Sequence, residues 1–405
     1  MSSRSTPSLS QISSLQQRSP ATQFTRPFAP PTAAYLHIPF CRRRCHYCDF
    51  ATGRGTPELI ERYVQALCQQ IQQVTGEFPP LQTVFFGGGT PSLLSGEQLQ
   101  RIVDALRDRL GMSPTAEVSL EANPGTVSLH SLQHYRNVGI NRISLGVQAF
   151  QPELLEACGR LHGVNEVYEA VGHLKAAGFD NFNLDLIFGL PHQRIDHWQY
   201  SLEEVVCLAP THVSLYDLTI ESGTRFGRLY QPGSQPLPSD GDTVEMYQMA
   251  IAILTQAGYQ HYEVSNFARP NRQCRHNRVY WENRSYHGLG MGATGYVNGR
   301  RYEQPKTLAD YFSQVEDGQF PTTARVTDRE RLLDTLMLGL RLQEGLSTAE
   351  LASSFSDATL DVIRKMLAPY RLRGWVEEKD GRLRLVSPDG WLFSNSILVD
   401  LMTAL

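Results

Sequence analysis

Short runs of β-branched and apolar residues alternate with amphipathic helical stretches from about residue 34 to residue 216. The stretch 97–110 is an example, because its apolar residues fall on one helical face and Ser95 with Gln98 offers a capping box. Alternating strands and helices predict parallel βαβ units. We expect six strands, near Tyr35–Ile38, Thr83–Phe86, Glu117–Leu120, Arg142–Leu145, Asn183–Ile187 and His212–Tyr216. The predicted fold class is α/β, a partial (β/α)6 barrel whose chemistry lies at the carboxyl ends of the strands.

Three cysteines, Cys41, Cys45 and Cys48, follow the first predicted strand in the spacing CxxxCxxC. Thiolate sulfur favours iron–sulfur clusters and zinc. Three sulfurs on a four-iron cube leave one iron without a protein ligand, and that iron can chelate an amine and a carboxylate, such as those of S-adenosylmethionine (SAM). A zinc site and chance clustering are the alternatives. Zinc prefers four ligands, and the nearby His46 points away if Cys45 and Cys48 converge.

Further polar motifs fall late in, or just after, the predicted strands. The turn at 87–91, GGGTP, follows the second strand, and its glycines let the backbone approach a ligand, although a tight βα turn has the same composition. Glu121, Gln148 and Asp185 lie at or near the ends of the third, fourth and fifth strands. Buried acids in strands are rare unless they are paired or functional. Arg160 offers a planar cation suited to a carboxylate.

These motifs together resemble a known family. The cysteine spacing is the signature of the radical-SAM superfamily. The runs YLHIPFC, FFGGGTPS, LEANP, GVQAF, GRLH and DLIFGLP are similar to the oxygen-independent coproporphyrinogen III dehydrogenase group and, more closely, to the HemW haem chaperone family. The resemblance covers about residues 34 to 300.

The resemblance implies two cofactors and their binding residues. A [4Fe–4S] cluster would be held by Cys41, Cys45 and Cys48. SAM would be bound by Tyr35, Tyr47, Gly88, Gly89, Thr90, Glu121, Gln148, Arg160, Asp185 and Leu218, the last through its backbone to adenine. It also implies haem as cargo, haem-accepting proteins as partners and a reductant for the cluster.

Two features separate the relatives. The dehydrogenase group has a fourth cysteine two places after the third, where this chain has Phe50. The run 275–281 matches the HNxxYW signature of the chaperone branch, which makes His276 the haem-ligand candidate and Tyr280 and Trp281 its packing partners. The alternative is an ordinary packed loop whose histidine hydrogen-bonds the backbone.

A downstream turn departs from the relatives. Where they commonly show GxGAHG, this chain has Thr294 in place of the histidine. Haem ligation would then rest on His276 or on His287, with Cys274 as a competing soft ligand. We expect a haem chaperone. The alternatives are the porphyrinogen-decarboxylating dehydrogenase, and a scaffold that uses its cluster structurally.

Composition limits the partners and the cellular compartment that we expect for this protein. A net charge of −4 argues against nucleic acid as a partner. Seven cysteines, an odd number, indicate a reduced, cytoplasmic protein. No apolar run approaches the roughly 18 residues of a membrane-spanning helix. The acid-free segment 1–33 is predicted to be disordered and also resembles an organellar transit peptide.

The remaining domains are predicted from pattern changes. The radical-SAM core covers 34–265, a connecting region with the HNxxYW motif covers 266–320, and a winged-helix-like domain covers 321–405. The last carries helical patterns followed by a hairpin with Asp380-Gly381 at its turn. Its charges are too balanced for a phosphate-binding surface, so we expect it to cover the barrel or bind a partner.

Overall fold

The structure is a computed structural model that describes residues 28–405. Its strands, in chain order, are β1 (Ala33–Ile38), β2 (Leu81–Gly88), β3 (Met112–Ala122), β4 (Arg142–Gln148), β5 (Phe182–Phe188), β6 (His212–Asp217), β7 (Gln260–Glu263), β8 (Asn266–Ala268), β9 (His287–Leu289), β10 (Thr294–Val297), β11 (Arg300–Glu303), β12 (Leu346–Ser347), β13 (Val376–Lys379) and β14 (Arg382–Leu385).

Helices alternate with the first strands and then form most of the carboxyl-terminal part. They are α1 (Pro57–Gln73), α2 (Gly96–Leu110), α3 (Leu129–Val138), α4 (Pro152–Ala157), α5 (Val164–Ala176), α6 (Ile195–Leu208), α7 (Arg225–Leu229), α8 (Asp240–Gln256), α9 (Arg275–Trp281), α10 (Leu308–Glu316), α11 (Asp328–Gly339), α12 (Thr348–Ser354), α13 (Asp357–Leu372), α14 (Asp389–Leu392) and α15 (Ser394–Ala404). The predicted capping box of α2 is present, since Ser95 and Gln98 exchange hydrogen bonds.

A nine-stranded sheet forms the core, in the order β7-β8-β6-β5-β4-β3-β2-β1-β9. The six predicted strands are confirmed as β1 to β6, which pair in parallel with their sequence neighbours. The sequence did not predict β7, β8 and β9, because strands of three or four residues are too short to show a period. β9 pairs in parallel with β1, whereas β8 pairs antiparallel with β6.

The two faces of the parallel strands differ in chemistry. Leu36, Val84, Leu120 and Leu145 are buried on the face that packs against the helices, where each contributes about 1.5–3 kcal/mol. The alternate positions are mostly polar, and residues of all six strands line one common cavity, to which β2 contributes the ring of Phe85. The sheet therefore curls around a polar interior, as a partial barrel does.

The segment between β8 and β9 spans the two edges of the curled sheet. It contains α9, which packs against β2 and so reaches the polar interior. The region predicted as a connection, 266–320, thus supplies two strands of the sheet and a helix inside its curve.

The carboxyl-terminal part has the predicted winged-helix-like elements. α12 and α13 precede the hairpin of β13 and β14, and β12 adds a third antiparallel strand. Asp380 and Gly381 both take positive φ at the hairpin turn, as a type I′ turn requires. Backbone hydrogen bonds at Val264 and Gln343 join this part to the core, consistent with a domain that packs on the sheet.

The amino-terminal prediction falls mostly on residues 1–27, which lie outside the described residues. At residues 28–33 the prediction of disorder is wrong. Ala33 begins β1, and the Phe28 ring packs edge-on against Tyr296 with centroids 6.0 Å apart. Within residues 28–405, no helix is long and apolar enough to cross a membrane.

Candidate functional site

The cysteine loop follows β1 and is fixed at both ends by backbone hydrogen bonds. Cys41 N–H donates to the Gly53 carbonyl at 2.9 Å, and His46 N–H donates to the Cys158 carbonyl at 2.9 Å. The His46 ring lies 2.7 Å from the Ala157 carbonyl through Nδ1 and 3.0 Å from Arg225 through Nε2. His46 is therefore held away from the three sulfurs, as the sequence predicted.

Polar groups surround the cysteine sulfurs. Thr90 Oγ1 lies 3.6 Å from Cys41 Sγ, and the Arg160 guanidinium lies 3.4 Å from Cys45 Sγ. Burial raises the pKa of the Cys41 and Cys48 thiols, so a metal centre is needed to keep them as thiolates. A donor and a cation beside soft sulfur ligands fit an anionic iron–sulfur cluster.

The arrangement differs from a zinc site. Among residues 28–405, no group of three His, Cys, Asp or Glu side chains is placed to hold a single metal ion. A mononuclear zinc site draws its ligands around one point, whereas a cube offers a separate iron to each sulfur. The described residues therefore offer no preformed site for a single zinc ion.

The glycine turn after β2 brings backbone against the cysteine loop. A Cβ on Gly89 would lie 3.0 Å from Cys41 Sγ and 2.6 Å from the Phe40 carbonyl oxygen. Gly88 has a φ of +111°, and its N–H donates to Glu121 Oε2 at 3.1 Å. Gly89 is required because a side chain would push the turn away from the cluster loop, and Gly88 because of its positive φ and because a Cβ would meet the His37 ring at 2.5 Å.

Two half-buried carboxyl groups, Glu121 and Asp185, face the interior of the sheet. Burial, together with the Asp185 carboxylate, raises the pKa of Glu121 to about 8. Burial also raises the pKa of Asp185, against hydrogen bonds that include Ser144 Oγ at 3.0 Å and Asn183 Nδ2 at 2.7 Å. Burial outweighs the nearby Arg142 guanidinium at both carboxyls, and a ligand with an ammonium or sulfonium group would favour their ionised forms.

Arg160 is fixed beside the cluster loop. Its Nη2 donates to the Gly146 carbonyl at 2.6 Å and to Asn123 Oδ1, and Asn123 also donates to Thr90 at 3.0 Å. Gln148, at the end of β4, has a φ of +73°, a strained conformation for a residue other than glycine that is often found at functional sites.

The last two predicted SAM residues lie in a smaller apolar cluster. Tyr47 packs against Phe226 with ring centroids 6.4 Å apart. The Leu218 N–H donates to the Phe188 carbonyl at 3.0 Å, so a contact from Leu218 to adenine would use its carbonyl instead.

A large cavity, about 840 Å3, opens between the cluster loop and the interior of the sheet. Its wall includes four predicted residues, Tyr35, Gly88, Glu121 and Tyr280. The sequence analysis missed other polar residues around this space. They are His37, Arg142, Ser144, Asn183, Ser214 and Tyr216. Polar residues at every second position of β4, β5 and β6 were the signal that could have found them.

His276 lies outside the wall of the large cavity and lines the smaller polar cavity inside the sheet. Its side chain is fully buried, with Nδ1 2.8 Å from Thr83 Oγ1 and Nε2 2.9 Å from the Tyr280 hydroxyl. Burial and Arg142 lower its pKa to about 3. Both ring nitrogens are therefore engaged by side-chain hydroxyl groups and not by the backbone, and coordination of iron through either nitrogen would have to break one of these bonds.

The other ligand candidates do not reach the cavity either. Cys274 is fully buried with its sulfur 3.7 Å from Glu117, and His287 packs edge-on against Phe78 at 4.8 Å between centroids. Trp281 is half-buried and lies against Arg341. Of the predicted haem group, only Tyr280 lines the cavity.

We expect His276→Ala to destabilise the fold by about 2–4 kcal/mol, because it leaves the buried Thr83 hydroxyl without its partner and opens a cavity. Urea unfolding measures this loss. His276→Gln, which keeps a hydrogen-bonding side chain, should retain haem affinity equal to that of the parent protein. A lower haem affinity in a stably folded His276→Gln protein would restore the ligand role.

Comparisons with known proteins agree with this geometry. The family model of the Radical SAM superfamily matches residues 35–205, and that of the HemN C-terminal domain matches residues 326–393. The solved structure of coproporphyrinogen III oxidase (HemN) from Escherichia coli, described as a radical SAM enzyme, superposes with a TM-score of 0.81 at 25% identity. The match covers 93% of this chain and 91% of that one.

Curated relatives match over nearly the full length. The haem chaperone HemW of Synechocystis sp. is 42% identical, over 94% of this chain and 98% of its own. The haem chaperone HemW of Escherichia coli is 37% identical, over 91% of this chain and 97% of its own. This chain therefore belongs to the HemW haem chaperone family.

Proposed function

We propose that this protein binds haem and passes it to acceptor proteins, from a core that holds a [4Fe–4S] cluster and SAM. The observation that carries the proposal is full-length membership of the HemW family, together with a cavity of about 840 Å3 beside the cluster loop. That volume lies in the upper part of the range for cofactor sites. All seven cysteines are free thiols, which supports a reducing compartment such as the cytoplasm.

The cavity wall suits a flat apolar ring with acidic side arms. Phe50, Tyr280, Tyr286 and Met291 supply aromatic and thioether surface, and Arg44 with Lys306 supplies positive charge for propionates. Met291 and His37 carry atoms that coordinate haem iron, although both nitrogens of His37 are bonded, to Tyr35 and Ala51. We therefore favour Met291 as the iron ligand.

Phe50 also favours the chaperone over the dehydrogenase. It occupies the position of the fourth cysteine of that group, and its ring is 61% exposed at the cavity wall. An exposed phenyl ring there offers contact area to a macrocycle and no thiol chemistry. Haem bound at this open wall would stay partly exposed, so an acceptor protein could take it over. The protein's other partner would be a reductant for the cluster.

We expect Phe50→Glu to weaken haem binding by at least about tenfold, since it places a carboxylate against the macrocycle and near its propionates. Titration of the protein with haem, followed by the Soret band, measures the affinity. Leu372→Glu, at a 91% exposed position on α13, is the matched control and should bind haem normally. Iron and sulfide content should stay constant in both.

The same titration tests the proposal as a whole. A parent protein that binds no haem, or that converts coproporphyrinogen III over many turnovers, would overturn the chaperone assignment. An unchanged haem affinity in Phe50→Glu would show that haem binds at a different surface. A shifted Soret band in Met291→Leu at constant cluster content would identify the iron ligand.

A further inference from the structure

The outer rim of the cluster loop is strongly basic. Residues 41–55 hold four arginines and one acidic residue, whereas the whole chain carries a net charge of −4. Arg42 and Arg43, which stand between the first two cluster cysteines, are both exposed. The positive charge is therefore concentrated at the loop that would carry the redox centre.

Neither arginine is neutralised by the protein. Across the described range, Arg42 and Arg43 form no ion pair with a carboxylate, and Arg42 makes one long hydrogen bond, 3.3 Å, to the Gly125 carbonyl. Leu161, 61% exposed, lies on the same rim. Exposed cations beside an exposed apolar side chain are typical of a surface that meets a protein partner.

This rim leads directly to a cluster ligand. Arg42, Arg43 and Leu161 line a surface depression of about 90 Å3, and Cys45 forms part of its wall. The haem cavity lies against a different set of residues, which includes Arg44 and Phe50. A partner seated on the rim would approach the sulfur of Cys45 without entering the haem cavity.

We propose that the rim formed by Arg42, Arg43 and Leu161 is the docking surface for an acidic one-electron carrier protein. The reduced carrier gives one electron to the cluster and leaves oxidised by one electron, and no bond or proton is exchanged. Docking of the carrier depends only on the residues of the rim. The electron transfer, in contrast, rests on the proposed function, because it requires the cluster. Weak, small and electrostatically steered interfaces are usual for redox encounters.

Other anionic partners fit the rim less well. The net charge of −4 would repel an extended polyanion or a broad anionic membrane beyond this small area. A compact partner with one acidic face feels only the local positive charge, because charges more than about 10 Å away are screened at ordinary salt.

The test is the association of the full chain with a small acidic flavodoxin, measured by biolayer interferometry at low and at physiological salt. We expect Arg42→Glu/Arg43→Glu to weaken binding at least about tenfold at low salt and to flatten its salt dependence. The carrier affinity of Arg42→Gln/Arg43→Gln should lie between that of the double glutamate variant and that of the parent. Stopped-flow reoxidation of the reduced flavodoxin should slow in the same order.

The matched control is Arg272→Glu/Lys365→Glu, which makes the same charge change at exposed positions away from the loop and should bind the carrier normally. Haem affinity should be unchanged in every variant, so a parent that fails to bind haem counts against the proposed function and not against docking. Equal carrier affinity in the parent and the loop variant overturns the proposal. The proposal is also overturned if the parent protein does not bind the carrier but binds anionic phosphatidylglycerol vesicles or single-stranded RNA through this rim.

Discussion

Cys45→Ala is expected to lose the iron–sulfur cluster completely. A four-iron cube with three thiolate ligands cannot be held by two, and Cys45 is also the sulfur that the Arg160 guanidinium contacts at 3.4 Å. Anaerobic reconstitution, followed by iron and sulfide analysis and visible absorption, measures the loss. Cys41→Ala and Cys48→Ala should behave in the same way.

Other cysteines serve as controls, and Cys158 is the sharpest one. It is close to the loop, since its carbonyl accepts the His46 N–H, yet burial raises the pKa of its thiol to about 12. Its side chain packs in a separate apolar cluster with Leu155 and Phe226, outside the CxxxCxxC loop, so we do not expect it to ligate iron. Cys158→Ala, Cys68→Ala and Cys207→Ala should therefore retain about four irons per chain. Iron retained in Cys45→Ala would refute the assignment.

The sequence predicted the parts of the fold that have long periodic patterns. All six parallel strands and the helix at 97–110 are confirmed, because apolar alternation over five or more residues reports directly on burial. β7, β8 and β9 were missed because each has only three or four residues. They form only when the edges of β6 and β1 offer them backbone partners.

Motif recognition located the candidate site but not the surroundings of each residue. Glu121 and Gly88 are bonded to each other, which a strand-end pattern could suggest. The buried position of His276 could not be predicted from a sequence pattern. The seven-residue helix α9 carries it into the interior of the sheet, where Thr83 and Tyr280 take both ring nitrogens. These partners are distant in the sequence, and their contact with His276 depends on how the segment between β8 and β9 packs on the sheet. A local sequence pattern does not predict that packing.

Asp185→Ala and Glu121→Ala are expected to weaken SAM binding by about 1.5–3 kcal/mol each, roughly tenfold to a hundredfold, because each change removes a charge-assisted hydrogen bond. Both carboxyls are half-buried at the carboxyl half of the sheet, and Glu121 lines the large cavity. Isothermal titration of the reconstituted protein with SAM measures the affinity. Glu117→Gln, on the same face of β3, is the control and should bind SAM normally.

The pKa of Glu121, about 8, adds a pH dependence to this prediction. With this pKa the carboxyl is largely protonated at pH 7, and a bound cation favours its ionised form. SAM binding should therefore release a proton, and affinity should rise as the pH increases toward 8 and level off above it. Titrations in two buffers of different ionisation enthalpy count the released proton. Glu121→Gln cannot ionise, so its SAM affinity should lose most of this dependence, and a parent protein that binds SAM equally at pH 6.5 and 8.5 would show that Glu121 does not face the cation.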